Sequence, residues 1–137
     1  MEETRYGIRT TIPGSFEHAL SATRAALQAE GFGVLTEIDI QEKLKEKLGV
    51  DFQRYIILGA CNPPLAHRAL LAERDIGLLL PCNVIVYENG PHECVVAAAD
   101  PNTMVEMAGD SVELRAVAKE ARTRLMRAIE NVATVNV

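Results

Sequence analysis

The stretch VIVYENGPHECVVAAA, residues 84–99, decides the fold class of this 137-residue chain. Two apolar, β-branched runs flank Glu88-Asn89-Gly90-Pro91, and an Asn-Gly pair between such runs is a strong signal for a β-hairpin. The pattern predicts that Val84 to Tyr87 pairs antiparallel with Glu93 to Ala99. Because strands adjacent in sequence then lie side by side, a purely parallel, doubly wound sheet is disfavoured. We therefore predict an α+β fold.

Periodicity on either side of this hairpin predicts the remaining main elements. Apolar residues at helical spacing, each set preceded by a capping residue, indicate helices near Ser15 to Glu30, Asn62 to Glu73 and Ser111 to Val132. Runs rich in β-branched residues indicate three more strands. These strands are expected near Tyr6 to Ile12, Phe32 to Ile38 and Tyr55 to Cys61.

Capping residues also place two shorter helices, one after Asp39 and one after Asp100-Pro101. The resulting order is βαβαβαββαα. Since the sequence has no linker and no internal repeat, we expect one domain over residues 1–137. Two pairs have the spacing of a capping box, namely Asp39 with Glu42 and Asp110 with Glu113.

Composition and charge limit the classes of partner. The chain carries a net charge of −5, and the stretch from Asp75 to Leu114 holds seven acidic residues and no Lys or Arg. Such a surface repels phosphate backbones, so we expect no nucleic-acid partner. No apolar run approaches the roughly 20 residues that a membrane helix needs, so we expect no membrane partner either. Three cysteines without a secretory signal favour a cytoplasmic location.

One local sequence, Gly59-Ala60-Cys61-Asn62-Pro63-Pro64, has a chemical rationale. It places the Cys61 thiol one residue before the Asn62 N-cap, with Pro63 at the start of the helix. The positive end of the helix dipole favours a thiolate there and would lower the pKa of Cys61. The same helix start would alternatively bind an anionic ligand. An inert, buried thiol is the competing interpretation.

A second Cys-Asn pair occurs in Leu80-Pro81-Cys82-Asn83. If Asn62 and Asn83 face one cleft, their amides offer donors and acceptors beside two sulfur atoms. Alternatively, Asn62 is only a helix cap and Asn83 only a turn residue. We expect Cys61 and Cys82 on the same side of the fold. The cysteines and histidines lack the spacing of a structural zinc site, and we expect neither a metal nor a cofactor.

Both Cys-Asn motifs, together with Asp100-Pro101 and the basic C-terminal helix, resemble the domain of unknown function 302 of bacteria and archaea. The resemblance covers nearly the whole chain. It implies a curved, mainly antiparallel sheet with helices packed on one face, as in the TATA-box-binding-protein-like folds, and it implies a homodimer. It implies no activity. The residues that match the family motifs are Cys61, Asn62, Pro63, Cys82 and Asn83.

Three functions remain open on this sequence. The leading hypothesis is a module that binds a small ligand or a protein partner in a cleft near the two Cys-Asn motifs. The second is a thiol-dependent enzyme of redox or acyl-transfer type, with Cys61 as nucleophile and Cys82 as the resolving or assisting thiol. The third is a purely structural homodimeric module. The sequence does not decide whether the protein is an enzyme.

Overall fold

A computed structural model describes residues 1–109 and 111–135 of the chain. Its centre is a six-stranded sheet in which every neighbouring pair is antiparallel, in the order β1-β2-β6-β5-β4-β3. The sheet is open, and helices pack on one face, so the predicted α+β class is confirmed. The strands are β1 (Glu2–Glu3), β2 (Gly7–Pro13), β3 (Gly33–Asp39), β4 (Tyr55–Cys61), β5 (Cys82–Glu88) and β6 (Glu93–Ala99).

The hairpin that decided the fold class has the predicted antiparallel pairing. Val84 lies opposite Ala98, and Tyr87 lies opposite Val95. The turn contains Gly90 at a φ of +109°, a conformation that L side chains rarely adopt. The backbone N–H of Asn89 donates to the carbonyl of Glu93 and closes the turn at 2.9 Å. Antiparallel pairing of these two strands is therefore confirmed.

The three main helices begin after the predicted capping residues. The hydroxyls of Ser15 and Ser111 and the side-chain oxygen of Asn62 each accept the backbone N–H three residues later. Asp39 does the same for a fourth helix, whereas Asp110 lies outside the described residues. The α-helices are α1 (Phe16–Ala29), α2 (Ile40–Leu48), α3 (Pro63–Ala72), α4 (Asn102–Ala108) and α5 (Val112–Asn131), with 3-10 helices at Arg74–Leu79 and Val132–Thr134.

The core lies between the sheet and its helices, and the register explains its composition. Residues that pair across antiparallel strands share a face of the sheet. The row from Ile8 through Ala98 and Val84 to Leu58 faces α1 and α5 and is almost fully buried. A second, smaller cluster joins α3, the first 3-10 helix and α4 to α5. It includes Leu65, Ile76, Met104, Leu114 and Val117.

The structure adds one strand, β1, that no sequence pattern indicated. β1 has only two residues, pairs antiparallel with β2, and forms an ion pair through each of its side chains. Glu2 accepts from Arg9 of β2 at 2.5 Å, and Glu3 is bonded to Arg122 of α5. Arg122 also donates to Asp100 at 3.2 Å, so one guanidinium joins β1 and α5 to the residue that follows β6. Ion pairs of this kind produce no periodic pattern in the local sequence, so β1 could not be predicted from it.

Candidate functional site

The two Cys-Asn motifs lie side by side in the fold. β4 ends at Cys61, and β5 begins at Cys82 on the neighbouring strand. Ala60 pairs with Cys82 and Gly59 pairs with Asn83, so the register offsets the two cysteines by one residue. The turn of chain that leads into β5 passes through a cis peptide bond between Leu80 and Pro81. Segments far apart in sequence thus meet at one end of the sheet.

Side-chain alternation divides the predicted site residues between the two faces of the sheet. Cys82 shares the helix side with its partner Ala60, and Asn62, two residues after Ala60, is 7% exposed. Asn83 alternates onto the opposite face, where it is exposed, whereas Cys61, the last residue of β4, is half-buried and lines an apolar cavity together with Asn62 and Cys82. A common site for all four side chains stays a prediction. The geometry favours Asn62 and Cys82 as the pair on the helix side.

An apolar cavity of about 30 Å³ lies at this end of the sheet, between the strands and α3, α4 and α5. Asn62, Pro81 and Cys82 border it on the motif side, and Met104 and Ala118 border it on the helix side. Its volume equals roughly one water molecule's share of the liquid, whereas ligand pockets usually span about 300 to 1,000 Å³. A ligand therefore has to displace part of the wall.

Asn62 is the buried polar group of this wall. Its Oδ1 accepts the Leu65 N–H at 3.3 Å, which is the N-cap bond of α3. Within the part of the chain that the structure describes, its Nδ2 has no hydrogen-bond partner. A methyl group placed on Gly31 would lie 3.0 Å from this Nδ2, so the amide sits tightly against the backbone after α1. One buried amide thus retains unused donor capacity.

The first turn of α3 offers no free backbone donor. Pro63 and Pro64 have no N–H, the Leu65 N–H is bound to Asn62 Oδ1, and the Ala66 N–H donates to the Asn62 carbonyl at 2.9 Å. A helix start binds anions mainly through such N–H groups. The proposed anion-binding or thiolate-stabilising role of this turn therefore lacks its hydrogen-bond donors.

The electrostatic setting favours a neutral thiol at Cys82. Burial raises the pKa of Cys82, and the neighbouring Cys61 raises it further. Burial also raises the pKa of Cys94, which packs in the main core. All three cysteines are free. Cys82 is consequently protonated at neutral pH, which removes nucleophilic character from one of the two candidate thiols.

Gly59 has a structural role at the site that the sequence did not predict. A methyl group there would lie 2.2 Å from Thr36 Oγ1 and 2.8 Å from Pro81 Cγ. The Gly59 position is therefore a point of close approach among β3, β4 and the segment that precedes β5. Only the spatial neighbours, which are distant in sequence, reveal this requirement for glycine.

Two further observations concern the described residues as a whole. No helix among them is long and apolar enough to cross a membrane. No group of three or more His, Cys, Asp or Glu side chains in residues 1–109 and 111–135 is placed to hold a metal ion.

Comparison with known proteins gives a consistent family assignment. Among the curated proteins, none matches this chain. The crystal structure of an uncharacterized conserved protein DUF302 from Bacillus stearothermophilus is similar, with a TM-score of 0.84 and 28% sequence identity. The similarity covers 94% of this chain and 99% of that chain. The family model "Domain of unknown function DUF302" matches residues 8–132, and the chain belongs to that family.

Proposed function

We propose that the protein is a binding module for a small, largely apolar ligand that carries one hydrogen-bond acceptor. The site is the cavity beside Asn62 and Cys82. The observation that supports it is the Asn62 amide, which is 7% exposed and has an Nδ2 without a partner in the described chain. This Nδ2 has no partner within the described chain, so a ligand acceptor that reaches it would gain a hydrogen bond worth about 0.5 to 1.5 kcal/mol.

The apolar part of the ligand follows from the rest of the wall. Leu65, Ala69, Ala118 and Ala121 are all buried and present only hydrocarbon to the cavity. Met104 lies on the same wall, and methionine is the side chain most able to rearrange around an irregular guest. Displacement of Met104 is the route by which the observed 30 Å³ would enlarge. A small ketone or aldehyde with a short alkyl chain has this chemistry.

The test is a thermal-shift screen of short-chain carbonyl compounds, each compared with the hydrocarbon of the same shape. A ligand that prefers the folded state raises the apparent stability, by about 2.7 kcal/mol at 100 times its Kd. Asn62→Asp retains a capping oxygen for Leu65 and replaces the Nδ2 donor with a carboxylate oxygen, which only accepts. We expect Asn62→Asp to fold and to lose the difference between carbonyl compound and hydrocarbon.

Asn83→Asp is the matched control, because Asn83 is exposed and alternates onto the other face. It should respond to ligands as the wild type does. Equal shifts for Asn62→Asp and wild type would contradict the proposed role of the amide. No shift with any compound would contradict the site.

The thiol-dependent enzyme remains the alternative function, with Cys61 as nucleophile. Neither the raised pKa of Cys82 nor the donor-free start of α3 supports it. Cys61→Ser separates the two proposals, because an enzyme would lose turnover whereas the ligand site would keep its Asn62 donor. We also propose that the module acts in the cytoplasm, where its three free thiols stay reduced, and that it acts as a homodimer.

A further inference from the structure

We infer that the face of the sheet turned away from α1 and α5, here called the uncovered face, is the surface through which two copies of this chain associate. This inference rests on the proposed homodimer and goes beyond it by assigning the surface. The alternation that buries Ile8, Val84 and Leu58 against the helices leaves a complementary set of side chains on the other side. The composition and shape of these side chains on the uncovered face support the inference.

The middle row of the uncovered face is apolar across four strands. Reading outward from β2, the register aligns Arg9, Ala97, Ile85, Ile57 and Ile38. Ile57 and Ile85 are half-buried and Ile38 is 43% exposed, although the alternating face of an ordinary solvated sheet carries polar residues. This row therefore exposes hydrocarbon on the side of the sheet turned away from α1 and α5.

A second row adds aromatic surface next to the first. Tyr55 and Tyr87 lie directly opposite each other on β4 and β5, and their rings stack at 5.3 Å with an interplanar angle of 5°. Phe52 extends this cluster, with its ring 6.3 Å from that of Tyr55. Tyrosine and phenylalanine are enriched in the cores of protein interfaces. Together with Ile57 and Ile85, these rings form a ridge along β4 and β5.

A groove runs beside this ridge, over β6. Its floor consists of the small side chains of Ala97 and Ala99, with Arg9 on one wall and Ile85 and Tyr87 on the other. The groove has a volume of about 330 Å³. Because a cavity of roughly 150 Å³ holds a benzene molecule, this groove has room for about two large side chains.

The ridge and the groove on one surface are self-complementary. In a dimer with two-fold symmetry the same patch serves both copies, and a ridge in one copy meets a groove in the other. Ile85 and Tyr87 of each copy would enter the groove above Ala97 of its partner. A second copy of this chain is therefore the occupant that fits the shape.

The charge distribution permits this approach even though each copy carries a net charge of −5. Arg9 is the charged residue of the middle row, and Glu2 binds it at 2.5 Å, so the pair is close to neutral. Five strands of seven residues span a face of roughly 24 Å by 24 Å, or about 580 Å². Specific interfaces need about 500 Å² or more per partner, so the face is large enough.

The experiment measures molar mass by light scattering at micromolar concentration. We expect a particle of about 30 kDa for the wild type, twice the 15.0 kDa of the chain. Ile85→Glu places a carboxylate in the middle of the ridge and should give about 15 kDa. Leu71→Glu is the matched control, since Leu71 is 74% exposed on α3 and lies away from the uncovered face. It should keep the dimer mass.

Ala97→Tyr provides a second variant that keeps the surface apolar and fills the groove, and it should also give the monomer mass. Circular dichroism establishes whether each variant is folded. If Ile85→Glu does not fold, the mass of Ala97→Tyr tests the dimer surface. A wild-type mass of 15 kDa would overturn both the homodimer and the surface, leaving the face to another partner. If the wild type is a dimer and both Ile85→Glu and Ala97→Tyr remain dimers, the assignment of the uncovered face as the dimer surface is overturned. A monomeric Leu71→Glu would overturn the same assignment.

Discussion

Replacement of Gly59 by alanine tests the packing at the end of the sheet where the two motifs meet. The added methyl group would lie 2.2 Å from Thr36 Oγ1 and 2.8 Å from Pro81 Cγ, well inside van der Waals contact. The Thr36 hydroxyl can rotate away, but the Pro81 ring is rigid. Overpacking of this kind costs about 1 to 3 kcal/mol. Loss of glycine's backbone freedom in the unfolded chain offsets roughly 0.4 to 1 kcal/mol of that.

The net expectation for Gly59→Ala is a loss of about 1 to 2 kcal/mol in the free energy of unfolding. Urea denaturation measures it, and with a slope of about 1 to 3 kcal/mol per molar urea the midpoint should fall by roughly 0.3 to 2 M. The matched control is Gly33→Ala on the edge strand, where a methyl group meets no atom within 4 Å. That variant should gain about 0.4 to 1 kcal/mol through the unfolded state alone.

A double-mutant cycle identifies the neighbour responsible. Thr36→Ala removes the nearest oxygen and leaves Cβ at 3.5 Å, an ordinary contact distance. Gly59→Ala should therefore cost less in the Thr36→Ala background, with a coupling of at least about 0.5 kcal/mol. If Gly59→Ala is as stabilising as Gly33→Ala, the close approach is not a constraint and the reasoning fails.

Three further predictions concern the helix cap and the thiols. Asn62→Ala removes the cap of α3 and should lower the free energy of unfolding by about 1 kcal/mol, which calorimetry would show as a Tm lower by roughly 4 °C. Asn62→Ser should retain most of that stability. An unchanged Tm for Asn62→Ala would refute the role of the cap. Because burial and Cys61 raise the pKa of Cys82, its alkylation by iodoacetamide should stay slow at pH 7.5 and rise only well above pH ~8.5, and rapid labelling at pH 7 would contradict this. Since the folded-state pKa values of Cys82 and Cys94 exceed those of the unfolded chain, their contribution is fully present below pH ~8.5 and is lost as pH rises through the folded values. Urea midpoints at pH 7 and 9.5 should therefore differ less in Cys82→Ala than in the wild type.

Capping residues explain why the helices could be predicted to within a residue. Ser15, Asn62 and Ser111 act through bonds to N–H groups only three positions away, so the information is local. The hairpin at residues 84–99 is local for the same reason. The strand order was not predictable in this way, because β2 pairs with β6 across most of the chain.

At the candidate site, too, local features could be predicted from the sequence and long-range ones could not. The sequence identified Asn62 as a cap, and Pro63-Pro64 already implied that the next two positions have no N–H to donate. The consequence for anion binding follows only when the Leu65 and Ala66 N–H groups are seen to be occupied as well. The cavity volume, the close approach at Gly59 and the position of Asn83 on the face opposite Cys82 all depend on strand register, which single-sequence periodicity does not determine.

The pairing of β2 with β6 also determines the order in which the sheet can form. Pro13 and Glu93, which pair across these strands, lie 80 positions apart in the chain. Bringing such distant residues together costs about 4 kcal/mol of loop-closure entropy by the (3/2)RT ln n relation, against roughly 1 kcal/mol for a four-residue turn. The β5–β6 hairpin therefore forms early, and the outer edge of β6 stays unpaired until β2 docks on it. We expect folding on the slow, millisecond-to-second scale of proteins rich in non-local contacts, with β2 docking last.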